Sequence, residues 1–305
     1  MDSHTDIAFC VDRHNLSQVA VVIDSILEHL GPGPALTFHV VYDGPIDRTV
    51  ESFARRALGG QHRLHLVRAP RHPFGSLLEF DHVTASALLK LWLADLLPGC
   101  ERVLYLDADT LVLRDLRPLL ATPLGDSVAG AVVDYGLLAA AEHERKLGVD
   151  DHRRHIREVL RRDPDDFTYV NSGVLLLDLA ALRREDFADR ATRLVLDQAH
   201  HFRWRDQDAL NLLLGDRIGL LDPRWNALVW HLEREERRHH ARSAERMVAA
   251  LQRRDPWIAH LTGPCKPWLH LIDLPYYRHW WRQAFRTSPR WYARYLQLWL
   301  GGRRA

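Results

Sequence analysis

The chain is poor in cysteine, has almost no surplus of either charge and contains no long apolar run. Its three cysteines, Cys10, Cys100 and Cys265, are odd in number and widely scattered. They form neither a disulfide framework nor a Cys-x-x-Cys metal pair, which fits a reducing, cytoplasmic setting. No segment reaches the roughly 18 apolar residues of a spanning helix. No basic stretch followed by an apolar run opens the chain, so no signal peptide is expected. With 41 Lys and Arg against 40 Asp and Glu, the net charge is +1. That balance excludes nucleic-acid binding by bulk charge. Repeats and low-complexity linkers are also lacking. What remains is 305 residues, 47% of them hydrophobic, enough for one large core.

The first half alternates strand-like and helix-like patterns. Ile7–Val11 is a short apolar run, and Asn15 is placed to cap a helix with apolar residues at Leu16, Val19, Ala20, Ile23, Ile26, Leu27 and Leu30. Strands are expected over Leu36–Tyr42, Leu64–Val67 and Arg102–Leu106, and helices over Asp47–Leu58 and Thr84–Leu97. This alternation predicts an α/β fold with a largely parallel sheet covered on both faces. Ligands of such sheets sit beyond the carboxyl ends of the strands, which directs attention to the residues just after Leu106. Ser127–Val133 and Gly173–Leu177 read as further buried strands, separated by a polar stretch from Gly136 to Asp166. That stretch reads either as a lid over the site or as a solvated insertion. A second charged stretch covers Glu233–Arg246.

Four segments carry candidate chemistry. Val103-Leu-Tyr-Leu-Asp-Ala-Asp-Thr-Leu-Val112 ends an apolar strand in Asp107 and Asp109. Residues i and i+2 of an extended segment point the same way, so both carboxylates can reach one hard cation. Alone, the same pair also serves as a turn cap beside an exposed carboxylate. Phosphatases of the haloacid dehalogenase type also end a strand in Asp-x-Asp, but want Thr or Val where this chain has Leu111, and place the motif near the start of the fold. Its mid-chain position favours metal-dependent nucleotide-sugar transferases. The second segment is Asn171-Ser-Gly173, a turn feeding a buried strand, and the third is Asp206-Gln-Asp208-Ala-Leu-Asn211, where Asp206 reads alternatively as a helix cap. The fourth, His260-Leu-Thr-Gly-Pro-Cys-Lys-Pro-Trp268, places a His and a Lys in a loop stiffened by two prolines.

In this order and spacing, the four segments resemble family 8 of the retaining glycosyltransferases, which includes bacterial lipooligosaccharide galactosyltransferases and the glycogenins. The resemblance covers roughly residues 6–280. It implies a single GT-A, Rossmann-like domain with a mixed, mostly parallel central sheet over residues 1–275. It also implies a hexosyltransferase that moves glucose or galactose from a nucleotide sugar, UDP-glucose or UDP-galactose, to a hydroxyl of a glycan, glycolipid or small molecule. Asp107, Asp109 and His260 would then hold Mn²⁺, with Mg²⁺ as the alternative, against the donor pyrophosphate. Lys266 and the amides around Gly263 would add positive charge there. Asp12 and the backbone near Cys10 would meet the nucleobase and ribose, with His14 beside them, and Ala108 would lie against the donor between the two aspartates. Asp134, Asn171, Asp206 and Gln207 would line the sugar pocket. Gln207 falls nearest the anomeric carbon and is a poor nucleophile, so same-face attack is expected rather than a covalent intermediate on Asp206.

Several positions depart from the family pattern. Lys90 stands where many bacterial members have Arg, keeping the charge without the bidentate fork. Asp12-Arg-His14-Asn15 replaces the common Asp-x-Asn-Tyr, so the aromatic beside the base is lost and another nucleotide is open. His82 is a further candidate on the donor or acceptor side. Residues 276–305 hold seven Arg and no acid, together with nine of the 27 aromatics. Arg278, Arg282, Arg286, Arg290 and Arg294 recur every four residues, with Tyr277, Trp281 and Phe285 one step earlier. This predicts a basic, aromatic amphipathic helical tail, kinked at Pro289, either anchoring the protein peripherally on the inner face of the membrane or docking on the catalytic domain. A self-glucosylating primer enzyme and an inactive sugar-nucleotide-binding scaffold are the alternative functions.

Overall fold

The computed structural model describes residues 5–12, 15–43, 58–69, 85–138, 141, 148–198, 200–229, 254–263, 265–272 and 274–302. Most of the expected 47–58 helix, the charged stretch over 233–246, His14, His82 and part of 136–166 lie outside the described residues.

β1 (Asp6–Asp12) is buried on both faces: Ile7, Phe9 and Val11 turn to one core, Ala8 and Cys10 to the other. This accounts for its unbroken apolar run, because a central strand has no solvent face. α1 (Leu16–His29) follows, then β2 (Thr37–Asp43) and β3 (Arg63–Arg68), parallel neighbours in the order β3-β2-β1. The helix expected over 84–97 is split into α2 (Ala85–Leu88), a 3₁₀ turn (Leu89–Trp92) and α3 (Leu93–Leu96). The tighter turn carries Lys90, which is drawn into the interior.

β4 (Arg102–Leu106), β5 (Thr110–Val112), α4 (Arg117–Leu120), β6 (Ala129–Val133) and α5 (Asp151–Glu158) come next. β7 (Val170–Asp178) runs antiparallel to both β4 and β6, making the sheet mixed as expected. A register shift in β6 between Ala131 and Val132 falls beside the residues that open β7. α6 (Leu179–Arg184), α7 (Phe187–Gln198) and α8 (Arg205–Leu214) cover one sheet face, and β8 (Ile218–Leu220) completes a seven-stranded sheet, β3-β2-β1-β4-β7-β6-β8. β9 (Ala227–Leu228) and β10 (Ile258–His260) join β5 in a small second sheet, order β5-β10-β9. Its pairing of His260 with Thr110 brings two distant parts of the chain to one point.

The tail forms α9 (Pro275–Thr287) and α10 (Arg290–Gly302). The expected kink is a complete break: Ser288 is extended, as a residue before proline is driven to be. On α9, Tyr277, Trp280, Trp281 and Ala284 pack with Val21 of α1, Leu111 of β5 and Ala259 of β10. α1 is therefore enclosed between the sheet and α9, which explains why its apolar residues surround it. At the opposite edge of the sheet from the strand ends, Asp6 Oδ1 lies 2.7 Å from His39 Nε2 and 3.6 Å from Cys100 Sγ, so that cluster is satisfied internally. Burial, with Asp6 adding to it, pushes the Cys100 thiol up to about 12.

Candidate active site

β4 delivers Asp107 to the carboxyl edge of the sheet, and three groups fix it there. Its N–H donates to Gly173 O at 2.8 Å, while its Oδ1 accepts from the Tyr105 hydroxyl at 2.5 Å and from Lys90 Nζ at 3.1 Å. Thr110 closes the turn by donating its hydroxyl and N–H to Asp107 O. Asp109 follows, and its carbonyl accepts the Leu261 N–H at 2.9 Å, locking the start of β5 to the end of β10. His260 Nε2 is thereby held 3.1 Å from Asp109 Oδ1 and 3.7 Å from Asp107 Oδ2. Ligand atoms of these three residues all fall within 4.8 Å of one another.

Gly173 makes this convergence possible. A Cβ there would collide with the His260 ring and stand 2.8 Å from Asp107 Oδ2. The requirement is space rather than backbone conformation, since Gly173 is not among the positive-φ residues. Two carboxylates and one imidazole around a gap only glycine leaves open suit a divalent cation that accepts oxygen and nitrogen ligands.

Two lysines balance the acids. Lys266 Nζ is bonded to Asp109 Oδ2 and donates to Leu261 O at 2.8 Å. Burial alone would raise the Asp109 pKa, but the Lys266 ammonium and His260 outweigh it and hold the carboxyl far below the usual range. Lys90 Nζ lies 2.7 Å from Asp206 Oδ2, 3.1 Å from Asp107 Oδ1 and 3.2 Å from Ser172 O. Burial alone would lower its pKa, yet Asp107 and Asp206 hold the ammonium above the ordinary lysine value. Asp206 also accepts the Ser172 hydroxyl at 2.8 Å. It sits inside the first turn of α8, whose N-cap is Trp204, so the alternative reading of Asp206 as a helix cap is not realised.

Gln207 is held at both ends. Its Oε1 accepts from Asn171 Nδ2 at 3.0 Å and Ser172 N–H at 3.1 Å, and its Nε2 donates to Asp134 Oδ2 at 3.0 Å. Asp208 is fully buried and takes no place in the cleft. It accepts from the Tyr169 hydroxyl at 2.6 Å and from the N–H groups of Arg203 and Trp204, and it meets His155 Nε2 at 3.1 Å. It thus braces α8 and ties α5, within the polar 136–166 stretch, to the wall of the site.

A cleft of about 350 Å³ brings together Cys10, Lys90, Asp107, Ala108, Asp109, Asn171, Asp206, Gln207, His260, Gly263 and Lys266. The Cys10 thiol is pushed up by burial. Asp12 and Asp134 do not line the cleft. Asp12 Oδ1 accepts the Asn15 N–H at 3.0 Å, just ahead of α1, and Asp134 stands behind Asn171 and Gln207. His14 is outside the described residues. The sequence reading gave no role to Tyr105, Ser172 and Asp208, although they lie within its motifs, and it missed Asn226 altogether. Tyr105 reads as core inside an apolar strand, and Asn226 ends the 3₁₀ turn Pro223–Asn226 far from any motif. Trp204 and Trp268 also line the cleft.

A family-wide sequence profile, Glycosyl transferase family 8, matches residues 6–271. General stress protein A of Bacillus subtilis (strain 168) is 23% identical over 285 residues, covering 90% of this chain and 91% of that protein. A lipopolysaccharide 1,2-glucosyltransferase of Escherichia coli (strain K12) is 25% identical over 288 residues, covering 93% of this chain and 78% of that one. Among solved structures, the galactosyltransferase LgtC in complex with donor and acceptor sugar analogues superposes with a TM-score of 0.74 at 24% identity. The match covers 95% of this chain and 99% of LgtC. The strand order, the small sheet behind the site and the matched span agree: this chain is a glycosyltransferase of GT-A fold and belongs to glycosyl transferase family 8.

Proposed function

We propose that the protein is a metal-dependent, retaining hexosyltransferase that takes glucose or galactose from a UDP-sugar to a hydroxyl of a glycan, glycolipid or small molecule. The observation that carries this reading is the convergence of Asp107, Asp109 and His260 around Gly173, with Lys266 beside them, at the carboxyl edge of the sheet. Those three residues would hold Mn²⁺, or alternatively Mg²⁺. When bound, the cation supplies Lewis-acid stabilisation of the departing diphosphate. Lys266 and the backbone at Gly263 add positive charge on the same side of the cleft. Cys10 and Ala108 would offer backbone to the nucleotide, and Asp12 and His14 would meet its nucleobase and ribose in this reading. Lys90 positions Asp107 and Asp206. Asn171 and Gln207, backed by Asp134, present amides to sugar hydroxyls.

Asp206 is paired with Lys90 and bonded by Ser172, which leaves its carboxylate poorly disposed as a nucleophile. Same-face attack past Gln207, with the leaving phosphate assisting removal of the acceptor proton, fits this arrangement better than a covalent step. Residues 1–275 are the catalytic unit in this reading. Residues 276–305 are a tail whose outward surface meets an anionic membrane at the cytoplasmic side, where a glycolipid acceptor would lie. The lipopolysaccharide transferases among the relatives support such an acceptor class.

The test is nucleotide release from a panel of nucleotide sugars, with Mn²⁺, against an Asp109→Asn control. Release from one UDP-hexose is expected. The variant should lose several kcal/mol of transition-state stabilisation, about 100-fold or more in rate. Equal release by wild type and variant, or release unaffected by chelation, would remove the metal from the reaction.

A further inference from the structure

The amide of Asn226 touches no part of the open cleft, yet it is fully buried against the one imidazole among the candidate ligands. Its role follows from donors and acceptors taken in order, starting from a group with no ambiguity. The Gly173 N–H can only donate, and it reaches Asn171 Oδ1 at 2.9 Å. That fixes the Asn171 amide, whose Nδ2 points to Asp134 Oδ2 at 3.2 Å and Gln207 Oε1 at 3.0 Å. Asn226 approaches the same Asn171 Oδ1 at 2.8 Å, so the facing atom must be its nitrogen, since an oxygen there would meet an oxygen. Asn226 Oδ1 is consequently turned to His260 Nδ1, 2.9 Å away. An amide oxygen has no proton to give, so His260 Nδ1 carries it.

We propose that Asn226 is a positioning residue that keeps a proton on His260 Nδ1 and fixes the ring, so that Nε2, which faces Asp107 and Asp109, is the atom left to ligate a cation. This rests on the metal-dependent reading above. Neutral histidine free in water favours the opposite tautomer, which would turn an N–H toward the cation and block ligation. Asn226 is fully buried and away from the cleft, so water does not compete for its amide. A metal-bound histidine is commonly held through its other nitrogen by such an outer partner. Here the restraint starts at a backbone amide and passes through two side-chain amides. The same Asn171 amide holds Gln207, so the orientation of the metal ligand and that of the sugar pocket share one anchor.

Nitrogen-15 NMR of the histidine rings in metal-free, full-length protein tests the Nδ1 proton directly, with His260→Gln assigning the signal. Nδ1 is expected to carry a proton, whatever the state of Nε2, which faces Asp109 until a cation takes its place there. Mn²⁺ binding, followed by the EPR signal of the free ion, is then compared across variants. Asn226→Leu should weaken binding by about 10–100-fold. Asn226→Asp, which keeps an acceptor for Nδ1–H but sets an oxygen against Asn171 Oδ1, should recover part of that loss. An unprotonated Nδ1 in the metal-free wild type, or Asn226→Leu binding Mn²⁺ as tightly as wild type, overturns the proposal. If wild type binds no Mn²⁺, the metal reading fails, and the ring spectrum still decides the Nδ1 proton. If Asn226→Leu does not fold, the wild-type spectrum and Asn226→Asp carry the test.

Discussion

Lys90 shows why a departure from the family pattern can be structural in origin. An ammonium offers three donors in a compact group, and here four oxygens surround it, from Asp107, Asp206 and the backbone and hydroxyl of Ser172. A planar guanidinium would match that arrangement poorly, so lysine is the better fit to this interior. Removing the charge deprives the Asp107 and Asp206 carboxylates of the buried ammonium that both contact. Lys90→Met is therefore expected to destabilise the fold by about 3–5 kcal/mol, read by urea denaturation. A variant as stable as wild type would show that solvent reaches the pair. At this scale the sequence was legible where function demands a spacing: Asp107 and Asp109 on one strand, His260 and Lys266 in one rigid loop. It was opaque where a residue works through partners far along the chain. Tyr105 looks like any core tyrosine, and Asn226 lies 34 positions from the ring it holds and 55 from Asn171.

Strands were readable because burial on both faces leaves an unbroken apolar run, as in β1 and β7. Helices were readable only while one face stayed apolar. The 84–97 helix lost its regularity at Lys90, where pairing with buried acids overrode the helical pattern. The tail was half readable: the aromatic spacing identified α9, but nothing in it revealed how much of that face was already covered. Trp280 is fully buried, with Trp268, Trp281 and Trp291 around it at ring-centroid distances of 5.3, 5.1 and 4.9 Å. Trp280→Ala is expected to cost about 3–5 kcal/mol. Thermal unfolding checks it, and an unchanged midpoint would mean that α9 is not integral to the fold.

For the whole molecule, the tail divides into an inward and an outward surface. No helix among the described residues is long and apolar enough to cross a membrane. α10 nevertheless exposes Tyr292, Leu296, Trp299 and Leu300, each at 40% or more, beside a groove that also holds Arg278, Arg282 and Arg286. Apolar side chains flanked by arginine suit the interface of an anionic bilayer. Because a buried leucine contributes about 1.5–3 kcal/mol, Leu296→Asp with Leu300→Asp should weaken binding to phosphatidylglycerol-containing vesicles at least about tenfold. Equal sedimentation of wild type and variant would leave α10 without that role.

The loop that carries Lys266 is gripped by both tail helices. The Tyr277 hydroxyl of α9 is bonded to the Cys265 carbonyl, and Arg294 of α10 donates to the Trp268 carbonyl at 2.9 Å. The lysine proposed to meet the donor phosphates thus hangs between two stays rigged from the two tail helices. Cutting away residues 276–305 would slacken both at once, so a truncated protein that neither binds vesicles nor turns over substrate would say nothing about whether turnover needs the membrane. Only changes confined to the outer face of α10 separate mooring from catalysis.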